Sequence, residues 1–359
     1  MQQIIVSLVT FFLVIGILVI IHELGHFLTA KKFGIHVEEF AFGMPPRLFA
    51  RKFGDTTYVL NALPIGGYVN MEGENGDEGE TQSPTSFQNK PPWQRFLVLF
   101  AGSAVHFVFA LLIFWGLIAS QGQLMKTNYV VIEGVTEDTP AAVAGLGASD
   151  TVVSVDDVRV YDVKEFLSQM DLKAGQVIDL SVMKAGAETI SHVSMTPRLD
   201  PPAGQGRLGV TITDGTTVVP VSILEAGRLS VDFTFMIIGE SYKALTGVFS
   251  HLVQKASIPS DISGPVGIAT ISGTVAKEGG LLGILSLLGV LAANLAVLNL
   301  FPFPGLDGGR IIFVLIEWVR GKRVAPEKEA MVHGLGMAAL FLFIAVVSYR
   351  DIMKLFGIG

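Results

Sequence analysis

Four stretches of this chain, 4–21, 96–121, 281–303 and 334–349, carry no Asp, Glu, Lys or Arg. A helix crosses the bilayer hydrocarbon with about 20 mostly apolar residues. Inside it, every backbone N–H and C=O must be bonded within the protein. These two conditions leave one fold class, a polytopic α-helical membrane protein with about four transmembrane helices. The first stretch begins Met1-Gln2-Gln3 without a basic residue, has no small-residue cleavage site and runs into His22 and Glu23. It therefore reads as a retained spanning helix and not as a signal peptide.

Composition narrows the function classes. Half of the 359 residues are hydrophobic and 16% are charged, against about a quarter charged in ordinary globular chains. Disorder, a coiled coil and a purely soluble enzyme are excluded. A net charge of −7 excludes nucleic acid as a partner, because that interface needs a basic face. With no cysteine there is no disulfide framework and no thiolate site, so any metal must sit on His, Asp or Glu.

Orientation follows from Lys and Arg in the short loops. Lys31, Lys32, Arg47, Arg51, Lys52, Lys90 and Arg95 follow the first span, and Arg310, Arg320, Lys322, Arg323 and Lys328 separate spans three and four. Both loops are expected in the cytoplasm of a bacterial cell, with residues 122–280 outside. Four regions result. Residues 1–125 are the first part of the membrane core, 126–214 an inserted domain, 215–280 a helical linker and 281–359 the second part of the core.

The first loop alternates around Thr57-Tyr58-Val59-Leu60 and Pro64-Ile65-Gly66-Gly67-Tyr68-Val69, a β-hairpin pattern. Its apolar character sets it against the membrane or between helices. Residues 72–92 turn acidic (Glu72, Glu74, Asp77, Glu78, Glu80) and read as a solvated loop. In the outer segment, strands are expected at 128–132, 151–155, 177–183, 189–195 and 208–212. Short helices are expected after Thr139-Pro140 and over 163–170. Strands with two short helices, and Ala144-Gly145-Leu146-Gly147 before a strand, make this an α+β domain like the PDZ domains of bacterial proteases. Such domains add a peptide strand to a sheet edge. Residues 226–253 have helical period but include Asp232, Glu240 and Lys243, and are expected on the outer membrane surface. Ser263-Gly264-Pro265-Val266-Gly267 breaks the chain before span three.

The chemistry is concentrated in His22-Glu23-Leu24-Gly25-His26. On a helix His22 and His26 stand one turn apart on the same face, so two imidazoles can grip one ion. Glu23 sits beside that face, where it can take a proton from a metal-bound water. Charged groups at the bilayer centre cost about 2.5–3.5 kcal/mol or more, so a membrane helix keeps such residues when they pair, bind or react. A third ligand is offered by Asp307 in the run Asn299-Leu300-Phe301-Pro302-Phe303-Pro304-Gly305-Leu306-Asp307-Gly308-Gly309. There two prolines and three glycines break the helix at matching depth. His106, in span two, is open as a ligand, as a hydrogen-bond donor to a ligand, or as a buried histidine bonded to a neighbouring helix, the last being preferred. His36, His192, His251 and His333 lie in loops or at segment ends and are given no role.

With these motifs together, the chain resembles the site-2 protease family of intramembrane zinc metalloproteases, of the bacterial sigma-factor-regulating type with one PDZ insertion. The resemblance implies Zn2+ on His22, His26 and Asp307, with Glu23 as catalytic base. It implies that Asn299 holds the substrate backbone and that Ile65, Gly66, Gly67, Tyr68 and Val69 offer an edge to an unwound substrate. It also implies substrates that are single-spanning membrane proteins, such as anti-sigma factors or signal-peptide remnants. The PDZ-like domain then reads peptide carboxyl ends or excludes bulky outer domains. Two motifs depart from the family pattern. Gly102-Ser103-Ala104-Val105-His106 stands for Gly-Pro-x-x-Asn, and Ala41-Phe42-Gly43-Met44 for Gly-Phe-Gly-Pro. The alternatives are a divalent-metal transporter and a non-catalytic membrane PDZ scaffold. Against transport, no inverted repeat is visible, and a simple ion path has no need of Glu23.

Overall fold

In the computed structural model the described residues are 2–74, 83–187, 189–255, 259 and 262–357. They form two compact units, residues 1–120 with 222–359, and residues 121–221. The acidic residues Asp77, Glu78 and Glu80 lie outside the described residues.

Four helices are long and apolar enough to cross a membrane: Gln3–Lys32, Pro92–Gln121, Pro265–Leu300 and Pro326–Leu355. They belong to helices α1 (Gln2–Lys32), α2 (Pro92–Gln121), α6 (Pro265–Leu300) and α8 (Pro326–Leu355). Three of them open with proline in the first turn, where its missing N–H costs nothing. Lys31 and Lys32 close α1 at the negative end of its dipole. Large apolar side chains such as Val9, Leu13, Leu335, Phe341 and Leu342 are exposed, while the polar groups of the site are turned inward. The unit therefore presents apolar side chains outward, as a lipid-facing bundle requires. One apolar core packs Val14 and Leu18 of α1 against Ala110 and Phe114 of α2 and Leu288, Ala292 and Ala293 of α6. The charge-free stretch from 281 begins at a break inside a longer helix. Helix α6 starts at Pro265 and is broken at Gly280, which has φ 53° and ψ −139°.

Strands β1 (Val37–Phe53) and β2 (Thr56–Met71) replace the expected simple hairpin with a sheet folded on itself. Phe40 stands opposite both Val69 and Tyr58, Ala41 opposite Tyr68 and Val59, and Phe42 opposite Gly67 and Leu60. Residues 39–42 thus lie between two segments of β2, while 47–53 pair with 56–61. The bends coincide with Gly43 (φ 81°) and Gly66 (φ 77°), a backbone region that glycine enters without steric cost. Among the described residues, Gly67 to Asn70 are paired on one side alone.

Of the segment 72–92 expected to be solvated, the described part is tied down at Phe87. Phe87 is buried with Val69, Val98 and Ile311, and its N–H donates to the Glu72 carbonyl at 2.8 Å. Helix α5 (Ile223–Lys255) also departs from expectation. It does not lie at one surface level but packs along α2 and α6. Phe233 meets Phe114 at 4.8 Å, Phe235 meets Phe107 at 5.5 Å and Phe249 meets Phe301 at 5.0 Å between ring centroids. Its charges are accommodated because Arg228 pairs with Glu225 and Lys243 with Glu240 on the exposed side. Helix α7 (Asp307–Arg320) ends at Gly321 in the left-handed region, the usual helix stop.

The second unit contains β3 (Gln123–Val135), α3 (Pro140–Val143), β4 (Thr151–Val155), β5 (Val158–Arg159), α4 (Val163–Leu172), β6 (Ile178–Met183), β7 (Ile190–Met195) and β8 (Val210–Val219). The sheet order is β7-β6-β4-β3-β8, with β5 paired to β4, so β8 is an edge. Helix α4 is capped by Asp162, whose Oδ1 accepts the Glu165 N–H at 2.7 Å. The unit has its own core, which includes Val130, Val152, Phe166, Ile178 and Leu180.

Candidate metal centre

The straight course of α1 through His22 and His26 puts both rings on one face. The chain break after α6 brings Asp307 to them as the first residue of α7. His22 Nε2 lies 3.2 Å and His26 Nε2 3.3 Å from Asp307 Oδ2, and the two Nε2 atoms are 3.1 Å apart. These three side chains form a candidate ligand group. His26 is oriented by its other nitrogen, Nδ1–H donating to the Val98 carbonyl at 2.8 Å. That bond leaves Nε2 as the lone-pair atom.

Asp307 Oδ2 is buried without a hydrogen-bond partner, facing two imidazole nitrogens. Three electron-rich atoms converging in a buried site repel unless a cation lies between them. Donors about 2.0–2.1 Å from a tetrahedral zinc stand about 3.3 Å from one another, so the observed spacing and the N, N, O chemistry fit that ion.

Two glycines make the room. A Cβ at Gly102 would sit 2.5 Å from His26 Nε2 and 2.6 Å from His22 Cε1, and one at Gly25 would sit 2.6 Å from the Ala101 carbonyl oxygen. The bare backbone of α2 therefore lies directly against the imidazole pair. Gly102 was quoted in the sequence as part of a motif and given no role at the site; a glycine inside an apolar helix was the signal available.

A cavity of about 440 Å3 opens onto the group, lined among others by Glu23, Gly67, Tyr68, Val69, Asn70 and Asp307. Gly67 stands beside Glu23, where an added Cβ would be 3.2 Å from Glu23 Cγ and 2.8 Å from Val19 Cγ1. Of the hairpin residues singled out in the sequence, Gly67, Tyr68 and Val69 line this cavity. Ile65 and Gly66 do not, because they form the bend that leads to it. The Tyr68 hydroxyl donates to Glu39 Oε2 at 2.9 Å. Arg310, also on the cavity wall, pairs with Glu74.

Asn299 lies beside a ligand, its Nδ2 3.3 Å from His22 Nδ1. The oxygen and nitrogen of an amide exchange places by a half-turn. With Oδ1 turned inward, Asn299 accepts the Nδ1 proton and frees Nε2 of His22 for a metal. His106 stacks on His22, with ring centroids 5.1 Å apart and 25° between planes. Its Nδ1 is buried and has no hydrogen-bond partner, so the expected bond to a neighbouring helix is not formed there.

In the second unit a groove of about 260 Å3 runs between α4 and the edge strand β8, lined by Phe166, Leu167, Met170, Leu208, Val210 and Ile212 among others. The loop at its end is Gln205 to Leu208, where Arg207 Nε donates to Asp171 Oδ1 at 2.8 Å. Leu146, in the run Ala144-Gly145-Leu146-Gly147, belongs to the apolar core of the unit. Nearby, the Lys126 ammonium and the Val163 N–H hold the Asp214 carboxyl below its ordinary pKa.

The profile of peptidase family M50 matches residues 10–343. A protein of Fusobacterium nucleatum named as a zinc metalloprotease is 36% identical, over 96% of this chain and 97% of the relative. The regulator of sigma-W protease RasP of Bacillus subtilis is 29% identical, over 98% of this chain and 99% of the relative. Among solved structures, the PDZ domain of an SdrC-like protein from Listeria monocytogenes aligns with 24% of this chain and 90% of that domain, at 21% identity and a TM-score of 0.22.

Proposed function

Because the chain belongs to peptidase family M50, we propose that it is an intramembrane zinc metalloprotease. Its reaction is hydrolysis of peptide bonds within or near the spanning segments of single-spanning membrane proteins. The observation that carries this reading is the convergence of His22, His26 and Asp307 within 3.1–3.3 Å beside Glu23 on one cavity.

In this reading His22, His26 and Asp307 hold the ion. Zinc, when bound, lowers the pKa of a water to about 7 and polarises a carbonyl. Glu23 takes the proton released as the scissile carbonyl is attacked, then passes it to the departing amide nitrogen. Asn299 fixes the His22 tautomer and stands next to the reacting bond, where it can also hold substrate backbone. A peptide bond in a spanning helix is shielded by its own hydrogen bonds, so the substrate must unwind first. The open edge at Gly67 to Asn70 favours that state, because an added strand recovers the lost backbone bonds.

The location read from the loop charges is a bacterial cytoplasmic membrane, with the basic loops inside and residues 121–221 on the extracytoplasmic side. Substrates of this class include anti-sigma factors and signal-peptide remnants. The second unit either docks peptide carboxyl ends exposed by an earlier cut, in the groove between α4 and β8, or excludes substrates with bulky outer domains.

The test is cleavage of a single-spanning substrate by the full-length protein in detergent, with and without chelator. Wild type is expected to cleave and to stop on chelation. Glu23→Gln is expected to retain zinc and lose cleavage by at least about a hundredfold, the scale of a general base. Undiminished turnover by Glu23→Gln contradicts the reading.

A further inference from the structure

Asp307 is the one ligand that does not come from α1, so its position depends on whatever holds the turn before α7. The turn's own backbone holds part of it, with the Phe303 N–H donating to the Phe301 carbonyl at 2.7 Å and the Leu306 N–H to the Phe303 carbonyl at 3.2 Å. Pro302 and Pro304 have no N–H, and Gly305 takes φ 98°, which turns its N–H away from the chain's own carbonyls. The Gly305 N–H donates instead to Nδ1 of His333 on α8, at 2.9 Å. The same face of α8 touches the turn twice more. A Cβ at Gly336 would lie 2.1 Å from the Pro304 carbonyl oxygen, and Gly305 packs against Met337. His333 also contacts Phe313 of α7, with ring centroids 5.4 Å apart. One imidazole therefore joins α8, the turn and α7 two residues before the candidate ligand.

We propose that His333 is a positioning residue for Asp307. By accepting the Gly305 N–H through Nδ1, it locks the turn so that the Asp307 carboxylate meets the two imidazoles. Without that acceptor the Gly305 N–H is left without its partner, the turn relaxes and the carboxylate leaves the geometry a metal needs. Neither substrate nor ion touches His333; it acts through the backbone. The inference rests on the metalloprotease reading.

The chemistry of the bond supplies a discriminating series. The Oδ1 of asparagine falls where Nδ1 of histidine stood, the Oε1 of glutamine falls nearer Nε2, and leucine has no acceptor at all. Full-length wild type, His333→Asn, His333→Gln and His333→Leu are purified in detergent. Zinc affinity is measured by competition with a chromophoric chelator, with a melting curve on each sample. His333→Leu and His333→Gln are expected to bind zinc at least about tenfold more weakly, the usual scale for an outer partner of a ligand. They are expected to lose kcat more than they raise KM. His333→Asn is expected to stay close to wild type in both.

Zinc affinity in His333→Leu equal to wild type overturns the proposal. So does equal impairment of His333→Asn and His333→Leu in samples that melt like wild type. If a His333 variant fails to accumulate, Gly336→Ser presses on the same turn from α8 and is expected to weaken zinc in the same way; unchanged affinity there also overturns it. Failure of the broader reading looks different, since wild type itself would then bind no zinc or cleave nothing.

Discussion

The most exacting demand at the site falls on a residue with no side chain. Gly102 lets α2 approach the two imidazoles so closely that a methyl group would lie within 2.5–2.8 Å of three ring atoms. The rings cannot easily yield, because His26 is held by the Val98 carbonyl and His22 is flanked by Asn299 and His106. Replacing a helical glycine by alanine ordinarily favours the helix by about 0.8–1 kcal/mol, so a purely local view predicts a gain. The clash decides otherwise. Gly102→Ala is expected to weaken zinc binding by at least about tenfold, read as zinc retained per chain after dialysis against a weak chelator. His22, Glu23 and His26 were legible in the sequence because a four-residue spacing on a helix fixes a shared face whatever surrounds it. Gly102, Val98 and His333 were not, since their roles exist only once α1, α2 and α8 are packed.

At the scale of elements, the strand segment Gly67 to Asn70 is the proposed guide of substrate to Glu23. It lies against α1 because Gly67 has no Cβ, and its outer edge is unpaired among the described residues. Gly67→Ala is expected to lift this edge away from Glu23. Zinc content then stays at the wild-type level while kcat/KM falls by about tenfold or more, as displacements of a fraction of an ångström to 1 Å do in positioned reactions. Loss of zinc in this variant would assign the strand to the metal site instead. The alternating residues of this region announced strands, but a single hairpin was the simplest pairing they allowed. The fold-back of β1 and β2 needs the bends at Gly43 and Gly66, and sequence spacing does not state which segment lies in the middle. Helix α5 was misplaced for a related reason. Its Asp232, Glu240 and Lys243 read as a surface element, whereas Phe233, Phe235 and Phe249 carry its contacts with α2 and α6.

At the scale of the whole molecule, the membrane unit inverts the polarity of a soluble enzyme: large apolar side chains face outward, while His22, Glu23, His26 and Asp307 gather around a cavity. The four long apolar helices were readable from the absence of charge alone; the helical stretch of α6 before the break at Gly280 was not, because Lys277 and Glu278 lie in it. What unites the chain into a catalyst is the meeting of its first helix with a turn almost three hundred residues later. Zinc-edge X-ray absorption on the full-length protein measures that meeting directly. The account predicts two imidazole nitrogens and a carboxylate oxygen at about 2.0–2.2 Å from one zinc, with the oxygen contribution diminished and zinc loosened in Asp307→Ala. A zinc environment that Asp307→Ala leaves unchanged would contradict it.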